Sequence, residues 1–236
     1  MPESRDYILG QSPAAARRLD IQDGHFAEIS EALLDDLDLE PTDQVVELGC
    51  GAGSFSQRIM KRLGPGGSLV SVDAAPGLLE QARQRLACQG PARFEGALAD
   101  ITQPGAWLRG ASVVVARTVL HHVPMAEFLV GKLRALLPTG TRVGFIEPDF
   151  RVHLARLACL QEQGRPELGA LAAWALAINH LYLANRISPA VGATLARAME
   201  LAGYQNVRAA AQDCRSDAAT IENMLMFYDE VRDRLD

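Results

Sequence analysis

Lysine is almost missing from this chain: of 236 residues only Lys61 and Lys132 carry an ammonium. That narrows the chemistry open to it. Cysteine is scarce as well. The four thiols, at positions 50, 88, 159 and 214, form no C-x-x-C and have no neighbouring His pair, which excludes a disulfide framework and a structural zinc site and leaves reduced thiols. The longest apolar runs, Ala170 to Ile178 and Ser112 to Ala116, fall far short of the roughly 20 residues of a membrane span. The start, MPESRDYILG, lacks the cationic and apolar parts of a secretion signal, so a cytoplasmic location is expected. Positive charge does not predominate. With 23 Lys+Arg against 29 Asp+Glu the net charge is −6, so the footprint of a polyanion-gripping protein is absent and nucleic acid is not an expected partner. No H-x-x-x-H pair or carboxylate cluster has metal-ligand spacing, and no metal is expected.

What is present is apolar bulk. At 48% hydrophobic and 22% charged, the chain can build one main core of its own. Phe26, Ile29, Leu33 and Leu37 predict an amphipathic helix over about Gly24 to Leu39. A strand Gln44 to Leu48 then enters the glycine loop Gly49 to Gly53 and a helix stopped by Gly64-Pro65-Gly66-Gly67. Further strands are read at Ser68 to Val72, Arg93 to Ala97, Ser112 to Ala116 and Arg142 to Glu147, with helices opening at Pro76-Gly77 and after Pro124. Buried strands alternating with helices specify a doubly wound, mostly parallel Rossmann-like α/β sheet. Its right-handed crossovers bring the glycine loop and Asp73 to one edge, where a ligand should sit.

After Pro148 the pattern turns helical. Residues 152–185 read as an inserted helical cap, broken at Gly164-Arg165-Pro166; its apolar circumference is that of a sandwiched helix or a contact in a possible homodimer. A helix capped by Ser188, started by Pro189 and ended by Gly203 follows, then a sixth strand at Asn206 to Ala211 and a terminal helix with Ile221, Met224, Leu225, Tyr228, Val231 and Leu235 on one stripe. The expected division is 1–43 as an N-terminal helical lid segment, 44–150 as the core, 151–187 as the cap and 188–236 as the C-terminal part.

The loop VVELGCGAG, Val45 to Gly53, carries the chemistry. Glycines allow positive φ and close approach of a ligand, the helix N-terminus behind them favours negative groups, and the carboxylate of Glu47 can orient a cationic amine. Asp73, ending the second strand, stands where an acid accepts hydrogen bonds from both ribose hydroxyls. These features suit an adenosine joined to an amino acid. In this order VELGCGAG, SVDAAPGLLEQAR, ALADI and ARTVLHHVP resemble the class I S-adenosylmethionine-dependent methyltransferases over roughly Tyr7 to Ala211, of the small-molecule type found in quinone biosynthesis and secondary metabolism.

That resemblance implies S-adenosyl-L-methionine as methyl donor, S-adenosyl-L-homocysteine as product and a small-molecule acceptor. It implies that Glu47, Gly49, Cys50, Gly51 and Gly53 border the methionine portion, that Asp73 holds the ribose and Ala74 touches adenine, and that Asp100 and Ile101 meet the adenine edge. Arg117 would offer its backbone carbonyl to the amino group. Tyr7, in a YxxG element, is either a lid residue or an ordinary surface aromatic. Methyl transfer needs alignment and a dry site, and a base only when the nucleophile is protonated. His121 and His122, on the ligand edge, are candidates for that base or else packed, hydrogen-bonded imidazoles. Glu147 and Asp149 face substrate or hold a helix terminus. A nicotinamide oxidoreductase fits poorly, because Ser54 stands where its third glycine would be and no Tyr-x-x-x-Lys exists; a donor-binding module without transfer stays open. No seventh strand is visible, which predicts an exposed or partner-covered sheet edge.

Overall fold

The computed structural model describes residues 13–151, 169–184 and 188–212. Five parallel strands form one sheet in the order β3-β2-β1-β4-β5: β1 Gln44–Leu48, β2 Ser68–Asp73, β3 Arg93–Leu98, β4 Val113–Arg117 and β5 Arg142–Ile146. The helices are α1 Pro13–His25, α2 Ala27–Asp36, α3 Ser54–Arg62, α4 Pro76–Leu86, α5 Ala126–Leu136, α6 Gly169–Ala184 and α7 Val191–Leu201. The doubly wound α/β sheet expected from the strand–helix alternation is present, with each expected core strand in place to within a residue or so of its ends.

Strand pleating explains the three layers. Val45, Val113 and Val115 point to one face, where they pack with Leu34 of α2 and with Phe55, Ile59 and Met60 of α3. Their neighbours Val46, Leu48, Val114 and Ala116 point to the other, onto Leu129, Val130 and Leu133 of α5 and Val191 and Leu195 of α7. Two-sided burial is why β4 is almost wholly aliphatic and why β1 carries Val45, Val46 and Leu48, each such side chain contributing about 1.5–3 kcal/mol. The chain runs outward from β1 through β2 to β3, and returns past β1 to reach β4. Strand direction of winding therefore reverses between β1 and β4, and a crevice opens beyond their carboxyl ends.

Two expectations change. The helix expected over 24–39 is present as the shorter α2, and a separate helix, α1, precedes it across Phe26; Ser30 Oγ donates to the Phe26 carbonyl at 2.5 Å and stitches the start of α2. Residues 206–211 form no strand: Asn206 adopts φ +56°, which turns the chain out of an extended path, and the segment after it pairs with nothing in the sheet. β5 accordingly has no second strand neighbour among the described residues. The cap is described only as α6, and the terminal helix falls outside the described residues. No helix among the described residues is long and apolar enough to cross a membrane.

Candidate active site

The glycine loop leaves β1 and turns back beneath the end of β2. The Gly49 and Cys50 amides both donate to the Val72 carbonyl, at 2.8 and 3.1 Å. Gly49 sits at φ +67°, and a Cβ on it would lie 2.2 Å from the Val119 side chain, so the loop and the exit of β4 touch at a point that only glycine permits. Gly51, at φ +53°, aims its amide at Asp73 Oδ2, 2.7 Å away. Cys50 is buried, and burial pushes its thiol well above the usual range, ahead of repulsion from Glu47 and Asp73; it is no nucleophile. Gly53 packs against Ala82 and starts α3.

Asp73 is the hub of this edge. Oδ2 accepts the Gly51 amide and Oδ1 the Ala75 amide at 2.8 Å, so each oxygen keeps lone-pair capacity for another donor. Burial raises its pKa, against the lowering effect of those backbone donors. Ala74 beside it is exposed. Glu47 lies deeper, 2% exposed, where Oε2 accepts from Ser56 Oγ and from Ser71 Oγ at 2.8 Å; desolvation raises its pKa too, opposed by those hydroxyls and by Arg117. Asp100 stands apart on the loop after β3, where Oδ1 accepts the Thr102 amide at 2.8 Å and hydroxyl at 2.7 Å, while Ile101 is buried in the core.

Arg117, where β4 ends, sends its side chain to α1 and the start of α2. Its Nη1 reaches Asp23 Oδ1 on α1 at 2.6 Å and Ser30 Oγ at 3.0 Å, and the guanidinium lies 4.8 Å over the Phe55 ring. Asp23 also holds Arg58 at 2.6 Å, and Asp20 holds Arg85. Helix α1 is thus bound across the glycine loop, with Leu19 against Ala52, Ala75 and Leu78. Sequence reasoning placed this stretch in the N-terminal helical lid segment of 1–43 but gave its side chains no role. Its acids at positions 20 and 23 were the available signal, one helical turn apart and so on one face.

The chain then makes a 3-10 turn, Leu120–His122, organised by the last strand's exit. Glu147 Oε1 accepts the Val119 and Leu120 amides at 2.9 and 2.7 Å; Oε2 accepts the His121 amide at 3.2 Å and faces His121 Nδ1 at 2.8 Å. Of the two readings open for Glu147 the terminus-holding one is what the geometry gives, while Asp149 pairs with Arg151. The two imidazoles lie 3.9 Å apart between centroids and pack with Phe150 and with Tyr182 of α6. His122 has its pKa lowered well below the usual value by burial first, then by His121 and Arg18. Glu47, the loop glycines, Asp73, Arg117 and the His pair therefore share one sheet edge, with Asp100 and Ile101 on the flank. Tyr7 lies outside the described residues, as do Cys159 and Cys214.

Comparison with known proteins places the same stretch. Residues 46–143 match the family described as a methyltransferase domain. The chain is 26% identical over 171 residues to the aklanonic acid methyltransferase of Streptomyces sp. (strain C5), covering 66% of this chain and 77% of that protein. It is 25% identical over 207 residues to the nocamycin O-methyltransferase of Saccharothrix syringae, covering 85% and 72%. An uncharacterized transposon-encoded protein of Streptomyces fradiae is 34% identical over 121 residues; there the match takes in 50% of this chain and 34% of the relative, so the chain spans about a third of that protein's length.

Proposed function

The chain belongs, through its domain at residues 46–143, to the class I S-adenosylmethionine-dependent methyltransferases, and from that premise we propose that it transfers a methyl group from S-adenosyl-L-methionine to an oxygen of a small-molecule acceptor. The observation that carries the reading is the coupling of Asp73 to the glycine loop through the Gly51 amide. One carboxylate fixes the loop's shape and keeps lone pairs for two vicinal hydroxyls. The residues fit the donor elsewhere too: Gly51 takes the positive φ that aims its amide at Asp73, exposed Ala74 offers a small face to a planar base, and the carboxyl of Glu47 offers oxygens to an ammonium. When bound, the donor supplies a sulfonium methyl carbon open to in-line attack.

The chain's own part is alignment and exclusion of water. Asp73 and the Gly49–Gly53 loop hold one end of the donor, and the Arg117 carbonyl stands at the other, where β4 ends. We place the acceptor on the side of the crevice where the His121–Glu147 pair lies, and a name ending in O-methyltransferase among the relatives favours an oxygen acceptor. Tyr7 and α6 would cover the site, and Asp100 with Ile101 would flank the adenine. The test is twofold. Calorimetric titration with S-adenosyl-L-homocysteine should show saturable binding at one site, and incubation with methyl-labelled donor and a panel of phenols, enols and carboxylic acids should label at least one of them. Binding without label across the panel would favour a donor-binding module; no binding would reject the proposal.

A further inference from the structure

The peptide joining Arg117 to Thr118 stands where β4 leaves the sheet. Its N–H, on Thr118, donates to the Ile146 carbonyl of β5 at 2.7 Å. In a planar trans peptide the carbonyl points the opposite way, so the Arg117 oxygen faces β1. Continued past Leu48 and Ala116, the β1–β4 register would bring that oxygen the Cys50 amide. The Cys50 amide has turned instead to the Val72 carbonyl of β2, at 3.1 Å, as part of the glycine loop. The Arg117 oxygen therefore looks into the gap where β1 and β4 part. Among the described residues the donor that reaches it is the Thr118 hydroxyl, at 2.8 Å.

Thr118 holds a conformation that its side chain disfavours. At φ +54° it is a β-branched residue in the left-handed region, a genuine outlier. Its surroundings enforce that turn: the Ile146 bond fixes its amide, Glu147 Oε1 accepts the next two amides at 2.9 and 2.7 Å, and Val119 packs against Gly49. Glycine would make the same turn at lower cost, so the turn by itself gives no reason for threonine. What threonine adds is an oxygen beside the Arg117 carbonyl.

Resting on the methyltransferase reading, we propose that Thr118 is a specificity-determining residue for the donor: its Oγ and the Arg117 carbonyl, 2.8 Å apart, form a two-oxygen seat for the ammonium of the methionine portion. The hydroxyl proton stays on the Arg117 oxygen, which leaves the lone pairs of Oγ and the second lone pair of the carbonyl as acceptors. An ammonium brings three N–H donors, and its charge strengthens each bond they make. The guanidinium of Arg117 does not compete for the seat, because it is held by Asp23 at 2.6 Å and by Ser30 at 3.0 Å. Thr118 thus selects the amino-acid end of the donor and acts on binding.

Thr118→Ala and Thr118→Ser test this as a pair, since both remove the β-branch that opposes the left-handed turn and they differ by the hydroxyl alone. The full chain is titrated by calorimetry with S-adenosyl-L-homocysteine and with its des-amino analogue, which keeps the adenosine, thioether and carboxylate and has hydrogen in place of the ammonium. Thr118→Ala is expected to bind S-adenosyl-L-homocysteine about tenfold more weakly than the wild type, with Thr118→Ser close to the wild type and the des-amino analogue bound alike by all three. Should Thr118→Ala not fold, Thr118→Gly, which suits a positive φ, takes its place. Binding of S-adenosyl-L-homocysteine by Thr118→Ala as tight as by Thr118→Ser, or tighter, overturns the inference. So does a loss shared by the des-amino analogue, because a hydroxyl that only completes the carbonyl's hydrogen bonding acts on both ligands alike. A wild type that binds neither ligand rejects the parent reading and the inference with it; one that binds both with equal affinity leaves the parent reading standing and overturns the inference alone.

Discussion

A carboxyl buried beside a glycine loop carries a desolvation cost that its hydroxyl partners and Arg117 offset in part. Glu47 sits buried with two serine hydroxyls on a single carboxyl oxygen, and desolvation raises its pKa. A glutamine carbonyl could accept the same two hydroxyls, so Glu47→Gln is expected to leave the melting temperature of the free protein unchanged or raised, and to weaken donor binding by at least about tenfold through loss of a charge-assisted contact of 1.5–3 kcal/mol. Scanning calorimetry and titration with S-adenosyl-L-methionine check the two halves. His122 has the opposite shift. Its folded pKa lies below the unfolded value of 6.5, so between the two the unfolded chain binds more protons; the contribution is full above pH 6.5 and is lost as pH falls. The raised carboxyls Asp73 and Glu47 act with the opposite sign, which a difference measurement removes. Denaturant unfolding of wild type and His122→Phe at several pH values should show wild type losing up to about 1.4 kcal/mol per pH unit more than the variant below pH 6.5.

At the scale of elements, the parts that hold the site are ones whose energetics come from contacts distant in sequence. β1 and β4 were legible because two-sided burial forces aliphatic runs such as Val113 to Ala116, and the loop was legible because three glycines at Gly49, Gly51 and Gly53 have few other uses. The bounds and docking of helix α1, expected only as part of a helical segment over 1–43, were not, since its Pro13-to-His25 sequence has little apolar periodicity and is held by ion pairs to Arg58, Arg85 and Arg117, which no local pattern reports. Asn206 misled in the other direction, its left-handed φ ending what its neighbours Val207 to Ala211 made plausible as a strand. Asp23→Ala would leave two partly buried guanidinium groups without their shared carboxylate and should cost on the order of 3 kcal/mol in urea unfolding. Gly49→Ala should be worse tolerated than Gly24→Ala: the first drives a Cβ to 2.2 Å from Val119 at φ +67°, while the second meets nothing within 4 Å. Their relative yields and melting temperatures test this.

Across the whole molecule, the parallel sheet places the residues proposed to hold the donor at or near strand exits, so the candidate site is assembled only when β1, β2 and β4 are in register. The family was readable from sequence for the same reason: the order of the motifs follows the order of the strands. The role of Glu147 was only half readable, because position at a strand end shows that a side chain reaches the ligand edge without showing which amides it meets there. If the crevice is the donor site, a ligand at a hundred times its dissociation constant should add about 2.7 kcal/mol to the stability of the whole domain. The most direct measurement is titration calorimetry of S-adenosyl-L-homocysteine into the wild type and into Asp73→Asn, whose amide cannot accept from the Gly51 amide and two hydroxyls together. The account predicts one-site binding by the wild type and affinity lower by at least about tenfold in the variant, the loss expected for hydrogen bonds to a charged group; equal affinity in both, or none in the wild type, would contradict it.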